Sequence, residues 1–127
     1  MNVALDTNRY TDFMRGEETV AQTLELARSI VVPFIVVAEL RAGFVAGTRV
    51  KANEVLLSEF LEEHDVSILF PDVETVNHYV GLFGELRRAG KMIPVHDLWI
   101  AALCVQHSLI LCTRDAHFDH FPQLSRV

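Results

Sequence analysis

Short apolar runs without internal alternation recur along this chain, separated by longer stretches with helical spacing. Val3 to Asp6 is apolar and stops at Thr-Asn, which predicts a strand that ends abruptly. A short helix follows over about Asn8 to Met14 and is stopped at Gly16. Glu17 to Arg28 places Val20, Leu24 and Ala27 at helical intervals. Ile30 to Val32 is β-branched and short, a second strand. Pro33 suits the first turn of the next helix, which runs to about Ala46. Arg49 to His64 turns Ala52, Leu56 and Phe60 one way and Lys51, Glu54, Glu59 and Glu62 the other. Val66 to Phe70 is a third strand, closed by Pro71. Asp72 to Ala89 is a long amphipathic helix stopped by Gly90. His96 to His107 is helical and apolar on nearly every face, Leu109 to Cys112 is a strand, and Ser125 to Val127 is a last, truncated one.

Unpatterned strands alternating with helices predict a parallel sheet covered on both faces, an α/β class. In such sheets ligand sites form outside the carboxyl ends of the strands. The 127 residues fit one domain, 1–127, with no linker, repeat or low-complexity tract. The longest apolar stretch, Ile30 to Ala38, contains Pro33 and falls short of the ~20 residues of a membrane span. The N-terminal MNVALDTN lacks the basic region and apolar core of a signal peptide. Cys104 and Cys112 lie within core elements in no metal-ligand spacing and read as buried thiols of a reducing cytoplasm.

A formal net charge of −6 argues against a domain that holds nucleic acid by bulk electrostatics. It leaves room for a nuclease, whose metal site itself needs clustered carboxylates. Asp6 ends the first strand, Asp97 opens a helix, and Asp115 comes just after a strand. Each also has an ordinary reading: Asp97 as a cap or first-turn residue, Asp115 as a turn former. Glu39 is different. Ile35, Val36, Ala42 and Gly43 are its helical neighbours, so it sits on an apolar, small-residue face. A lone carboxylate there costs several kcal/mol, on the order of 2–7, or is forced neutral. An arginine partner, a raised pKa or a cation would resolve this. Arg41 is the simplest partner, but two positions along a helix face different directions. A cation shared with Asp6 and Asp97 resolves it more economically. Oxygen-only ligands favour Mg²⁺, with Mn²⁺ able to substitute, over zinc. Such an ion polarises a phosphate oxygen and activates a water for in-line attack. Arg9, Arg41, Arg87, Arg88, Lys91 and Arg114, all near these acids in sequence, would then position the phosphodiester backbone.

LDTN around Asp6, VVAELRAG around Glu39, IPVHDLWIAA around Asp97 and CTRDAHF around Asp115 resemble, in order and spacing, the motifs of PIN-domain ribonucleases. More narrowly they resemble the VapC-type toxins of bacterial toxin–antitoxin systems, over essentially the whole length. The resemblance implies a three-layer sandwich with a five-stranded parallel sheet flanked by helices, a homodimer and Mg²⁺-dependent endoribonuclease activity on RNA. It implies a VapB-type antitoxin whose C-terminal segment wraps the toxin and directs an arginine to the acids. By the family pattern Asp6 and Asp97 are the principal metal ligands, Glu39 and Asp115 complete the catalytic set, and Asn8 and Thr113 support them by hydrogen bonds.

This chain departs from the pattern in three places. Val32-Pro33 replaces the Ser or Thr that often precedes the Glu helix, His96 stands where Asn is common before Asp97, and little chain remains for a fifth strand. His117 and His120 are three apart with no further ligand in view, and Trp99 reads as core packing. A phospho-accepting receiver domain is a poor fit, because Asp6 is followed by Thr7 and no Lys occurs after Lys91. A PIN fold that has lost catalysis and serves as an antitoxin-binding or scaffold module is the other alternative; the presence of all four acids counts against it.

Overall fold

The computed structural model describes residues 1–127. Four strands, β1 (Asn2–Leu5), β2 (Ser29–Pro33), β3 (Val66–Leu69) and β4 (Ile110–Cys112), form one parallel sheet in the order β3-β2-β1-β4. Six helices flank it: α1 (Thr7–Met14), α2 (Glu18–Leu26), α3 (Phe34–Ala46), α4 (Val50–Leu61), α5 (Val73–Arg88) and α6 (Val95–Gln106). A 3-10 turn spans Ala116–His120.

Local chemistry sets most of these boundaries. Pro33 and Pro94 stand at the N-caps of α3 and α6, where a missing N–H leaves no bond unmade. Asp72 and Thr75 form a reciprocal capping box that opens α5. After α1 the chain turns at Gly16 with φ 83°, a conformation that a side chain would strain. The core joins Val3, Ala4 and Leu5 of β1, fully buried, to Ile100, Ala101 and Ala102 of α6 and to Phe118 and Phe121 beyond β4. Both cysteines are buried within this core, and burial pushes both thiols upward in pKa. Trp99, half-buried, lies against Tyr79 with ring centroids 4.4 Å apart and planes tilted by 35°.

The sheet has four strands, not the five that the resemblance implied. The chain turns at Pro122 and Gln123, with Phe121 and Leu124 buried in the core on either side of the turn. What remains is one parallel bridge, Leu111 to Arg126, held by Leu111 N–H to Ser125 O at 2.8 Å and Val127 N–H to Leu111 O at 2.9 Å.

The strand order places the site. From β1 the chain adds β2 and then β3 on one side, and later returns to lay β4 on the other. The reversal falls between β1 and β4, where such sheets open a crevice at their carboxyl ends. Leu5 pairs with Cys112, so Asp6 and Thr113 emerge side by side.

Candidate active site

Asp6 is the best held of the acids and is 5% exposed. One oxygen accepts from Thr7 N–H at 2.8 Å, which makes Asp6 the N-cap of α1. The other accepts from Thr113 Oγ1 at 2.7 Å. Thr113 in turn accepts from Asp115 N–H at 3.0 Å, so one threonine ties the ends of β1 and β4 together. Glu39, in the second turn of α3, accepts from Thr7 Oγ1 at 2.8 Å. Asp97 lies in the first turn of α6, with its side chain 13% exposed. Asp115 caps the 3-10 turn through His117 N–H at 2.9 Å.

The four acids feel one another. Burial raises the pKa of Asp6 from its ordinary value, and the charges of Asp97 and Glu39 add to it against the hydrogen bonds from Thr113 and Thr7. Burial likewise raises Asp97, with Asp115 and Glu39 adding to the effect against a hydrogen bond from His117. No arginine or lysine pairs with any of the four.

Glu39 is less buried than its sequence neighbours suggested, with its side chain 32% exposed. Ala38, Arg41, Ala42 and Gly43 are exposed, because the small residues of α3 line a surface rather than a packed seam. Arg41 turns away and pairs with Glu54 at 3.1 Å. Arg9 pairs with Asp12 at 3.3 Å and approaches Glu17 at 3.7 Å, and Arg114 reaches the same Asp12 at 2.9 Å. These three cations are thus committed to ion pairs outside the acid cluster. Arg87, Arg88 and Lys91 are exposed at the end of α5 and the start of the loop leading to Asp97, and none forms an ion pair. Asn8 is exposed; its neighbour Thr7 is the residue that holds Glu39.

Two histidines border the acids. His96 Nδ1 lies 3.6 Å from Glu39 Oε2. His117 Nδ1 lies 2.7 Å from Asp97 Oδ2 and 3.1 Å from Asp115 Oδ1. Sequence reasoning missed His117 because it looked for a partner among nearby histidines. The available signal was Asp115-Ala116-His117: a capping aspartate folds the residue two places on back over its own carboxylate.

The raised groups fix the sign of a pH effect on the metal-free protein. Asp6 and Asp97 hold a proton more tightly folded than unfolded, so folding gains as pH falls toward the ordinary value of 3.8. His117, raised chiefly by its hydrogen bond to Asp97, gains in the same direction down to 6.5. Asp12, Glu17 and Asp72 are lowered, by Arg114, by the Val20 N–H and by Gln106 respectively, and their stabilisation is lost only below about pH 4. Chelator-treated protein should therefore melt higher near pH ~5 than near pH ~7.5. A melting temperature lower near pH ~5 than near pH ~7.5 would contradict this balance.

Sequence and structural relatives converge on one family. A family model for the PIN domain matches residues 3–124, and the fold with its acid-bearing carboxyl edge is of that class. Ribonuclease VapC1 of Haemophilus influenzae (strain R2866) is 31% identical over 116 residues, covering 87% of this chain and 84% of its own. The VapC ribonuclease Y4jK of Sinorhizobium fredii is 28% identical over 121 residues, covering 89% and 86%. The structure of VapBC2 from Rickettsia felis bound to a promoter DNA fragment superimposes with a TM-score of 0.88 at 26% identity, over 100% of this chain and 98% of the other. This chain belongs to the PIN-domain family, in its VapC-type branch.

Proposed function

We propose that this protein is a divalent-metal-dependent endoribonuclease and the toxin half of a type II toxin–antitoxin pair. The observation that carries the reading is the set of four mutually repelling carboxylates with no lysine or arginine among them, while the nearby arginines pair elsewhere. Burial and crowding of like charge are costly unless a cation offsets them. The donor set fits Mg²⁺ or Mn²⁺: it is rich in oxygen, and the ligand atoms of Asp97, Asp115 and His117 lie within 4.8 Å of one another. A bound ion would polarise a phosphate oxygen and activate a water that hydrolyses the phosphodiester.

The chain's own residues prepare the rest. Thr113 and the Thr7 N–H fix Asp6, and Thr7 Oγ1 fixes Glu39, so the carboxylates need not reorganise when substrate arrives. Of the six cations that adjoin the acids in sequence, Arg87, Arg88 and Lys91 are unpaired and would hold the RNA backbone.

A partner surface accompanies the site. Phe13 and Met14 of α1, Leu24 of α2, and Leu56 and Phe60 of α4 line a trough of about 540 Å³, rimmed by Glu25, Glu59, Glu63 and Asp65. An apolar segment carrying basic residues fits it, in keeping with a VapB-type antitoxin that sends an arginine fork to the acids. A second copy would cover the exposed stripe of Val73, Val76, Val80 and Phe83 on α5. No helix is long and apolar enough to cross a membrane; an enzyme that cuts cellular RNA would work in the cytoplasm.

New RNA ends mapped in cells expressing the parent or Asp6→Asn test the reading. Discrete cut sites present with the parent and absent with the variant are expected. Identical maps would leave the antitoxin-binding module as the better account.

A further inference from the structure

We propose that His117 is a ligand of the bound cation, and that it shifts the site's selection from Mg²⁺ toward Mn²⁺. This rests on the reading of the acids as a metal site. Three observations carry it.

The first is distance. His117 Nδ1 stands 2.7 Å from Asp97 Oδ2 and 3.1 Å from Asp115 Oδ1. Adjacent ligands of an octahedral ion with bonds of ~2.1 Å are about 3 Å apart, so both contacts of Nδ1 have the spacing of neighbours in one coordination sphere, and all three ligand atoms lie within 4.8 Å of one another. With both carboxylates ionised the oxygens can only accept, and a proton on Nδ1 would be donated to Asp97 Oδ2 in the metal-free protein. To hold a cation, Nδ1 would give up that proton to solvent and offer its lone pair instead.

The second is support. His117 N–H is bound to Asp115 Oδ1 at 2.9 Å, and the next residue, Phe118, is fully buried. The backbone that carries the imidazole is therefore anchored on both sides, while the ring itself is 46% exposed. His96 provides the contrast: its Nδ1 is 3.6 Å from Glu39, and it stands outside the group of ligand atoms.

The third is ligand chemistry. Mg²⁺ is a hard ion that keeps water and oxygen ligands, whereas Mn²⁺, a first-row transition ion that also takes carboxylates, accepts an imidazole nitrogen more readily. Replacing one oxygen donor by nitrogen favours Mn²⁺ at the expense of Mg²⁺.

The test is metal binding by the full chain, with Mn²⁺ followed by electron spin resonance and Mg²⁺ by calorimetry. The variants are His117→Ala, His96→Ala and Asp97→Asn. The parent should bind Mn²⁺ with a ¹⁴N modulation in its spin-echo spectrum. His117→Ala should lose that modulation and ~10-fold or more in Mn²⁺ affinity, with Mg²⁺ affinity changed by less than ~3-fold; His96→Ala should keep both. Metal binding abolished in Asp97→Asn but unchanged in His117→Ala would overturn the histidine ligand and leave the carboxylate site standing. Mn²⁺ binding that is absent from the parent, or unaffected in Asp97→Asn, would overturn both.

Discussion

Asp97→Asn is expected to cut RNA cleavage by roughly 10²–10³-fold or more while leaving a folded and more heat-stable protein. The side chain is 13% exposed, and its pKa is raised by burial first and by Asp115 and Glu39 in addition. The amide preserves the shape and still accepts a hydrogen bond from His117 through its carbonyl oxygen. It removes one of four crowded charges, so the metal-free fold loses a repulsion that the parent bears. The same change takes away a ligand that the cation needs. Activity and metal-free stability should therefore move in opposite directions. Cleavage assays beside thermal melts in chelator check this, and a variant that melts well below its parent would give Asp97 a structural role instead.

Phe118→Ala is expected to have the largest effect on stability, about 3–5 kcal/mol. That is a large fraction of the roughly 5–15 kcal/mol that holds a domain folded. Phe118 is fully buried in the core cluster and lies in the turn Ala116–His120. Asp115 caps that turn and His117 belongs to it, so loss of the anchor loosens two site residues together. Denaturant melts should show the loss, and Phe118→Leu should recover much of it. A Phe118→Ala midpoint close to the parent's would mean that the turn is held by its backbone and by the Arg126–Asp119 pair instead.

The element order was legible because punctuation residues bound the runs. Pro33 and Pro94 open α3 and α6, and Gly16 and Gly90 follow α1 and α5, so boundaries fell within a few residues. Asp6, Asp97 and Asp115 were marked as a set by their places at element ends, and the quoted motifs named the family. Which strands adjoin was not written in any local pattern. The contact of Thr113 with Asp6 depends on β4 lying beside β1, across 107 residues of chain. Ion pairing was misjudged for the same reason. Arg9 and Arg114 each adjoin a site residue in sequence, yet both turn to Asp12, 102 residues away from Arg114. The burial of Glu39 was overestimated because alanine and glycine on a helix mark close packing only when something packs there. His117 went unrecognised because its partners are set by a turn and a sheet edge rather than by a spacing of histidines.

The central claim is metal-dependent hydrolysis of RNA at the carboxyl edge of the sheet. Its most direct test is the end chemistry of RNA cut by the purified protein, freed of any partner, in Mg²⁺ or Mn²⁺ and in chelator. A water attacking in line leaves no cyclic phosphate. We predict cleavage only when the ion is supplied, restored on its return after chelation, with products that lack 2′,3′-cyclic phosphate. Cleavage that persists in chelator and leaves 2′,3′-cyclic phosphate would contradict the account, since attack by the RNA's own 2′-hydroxyl would then place the chemistry on His96 and His117.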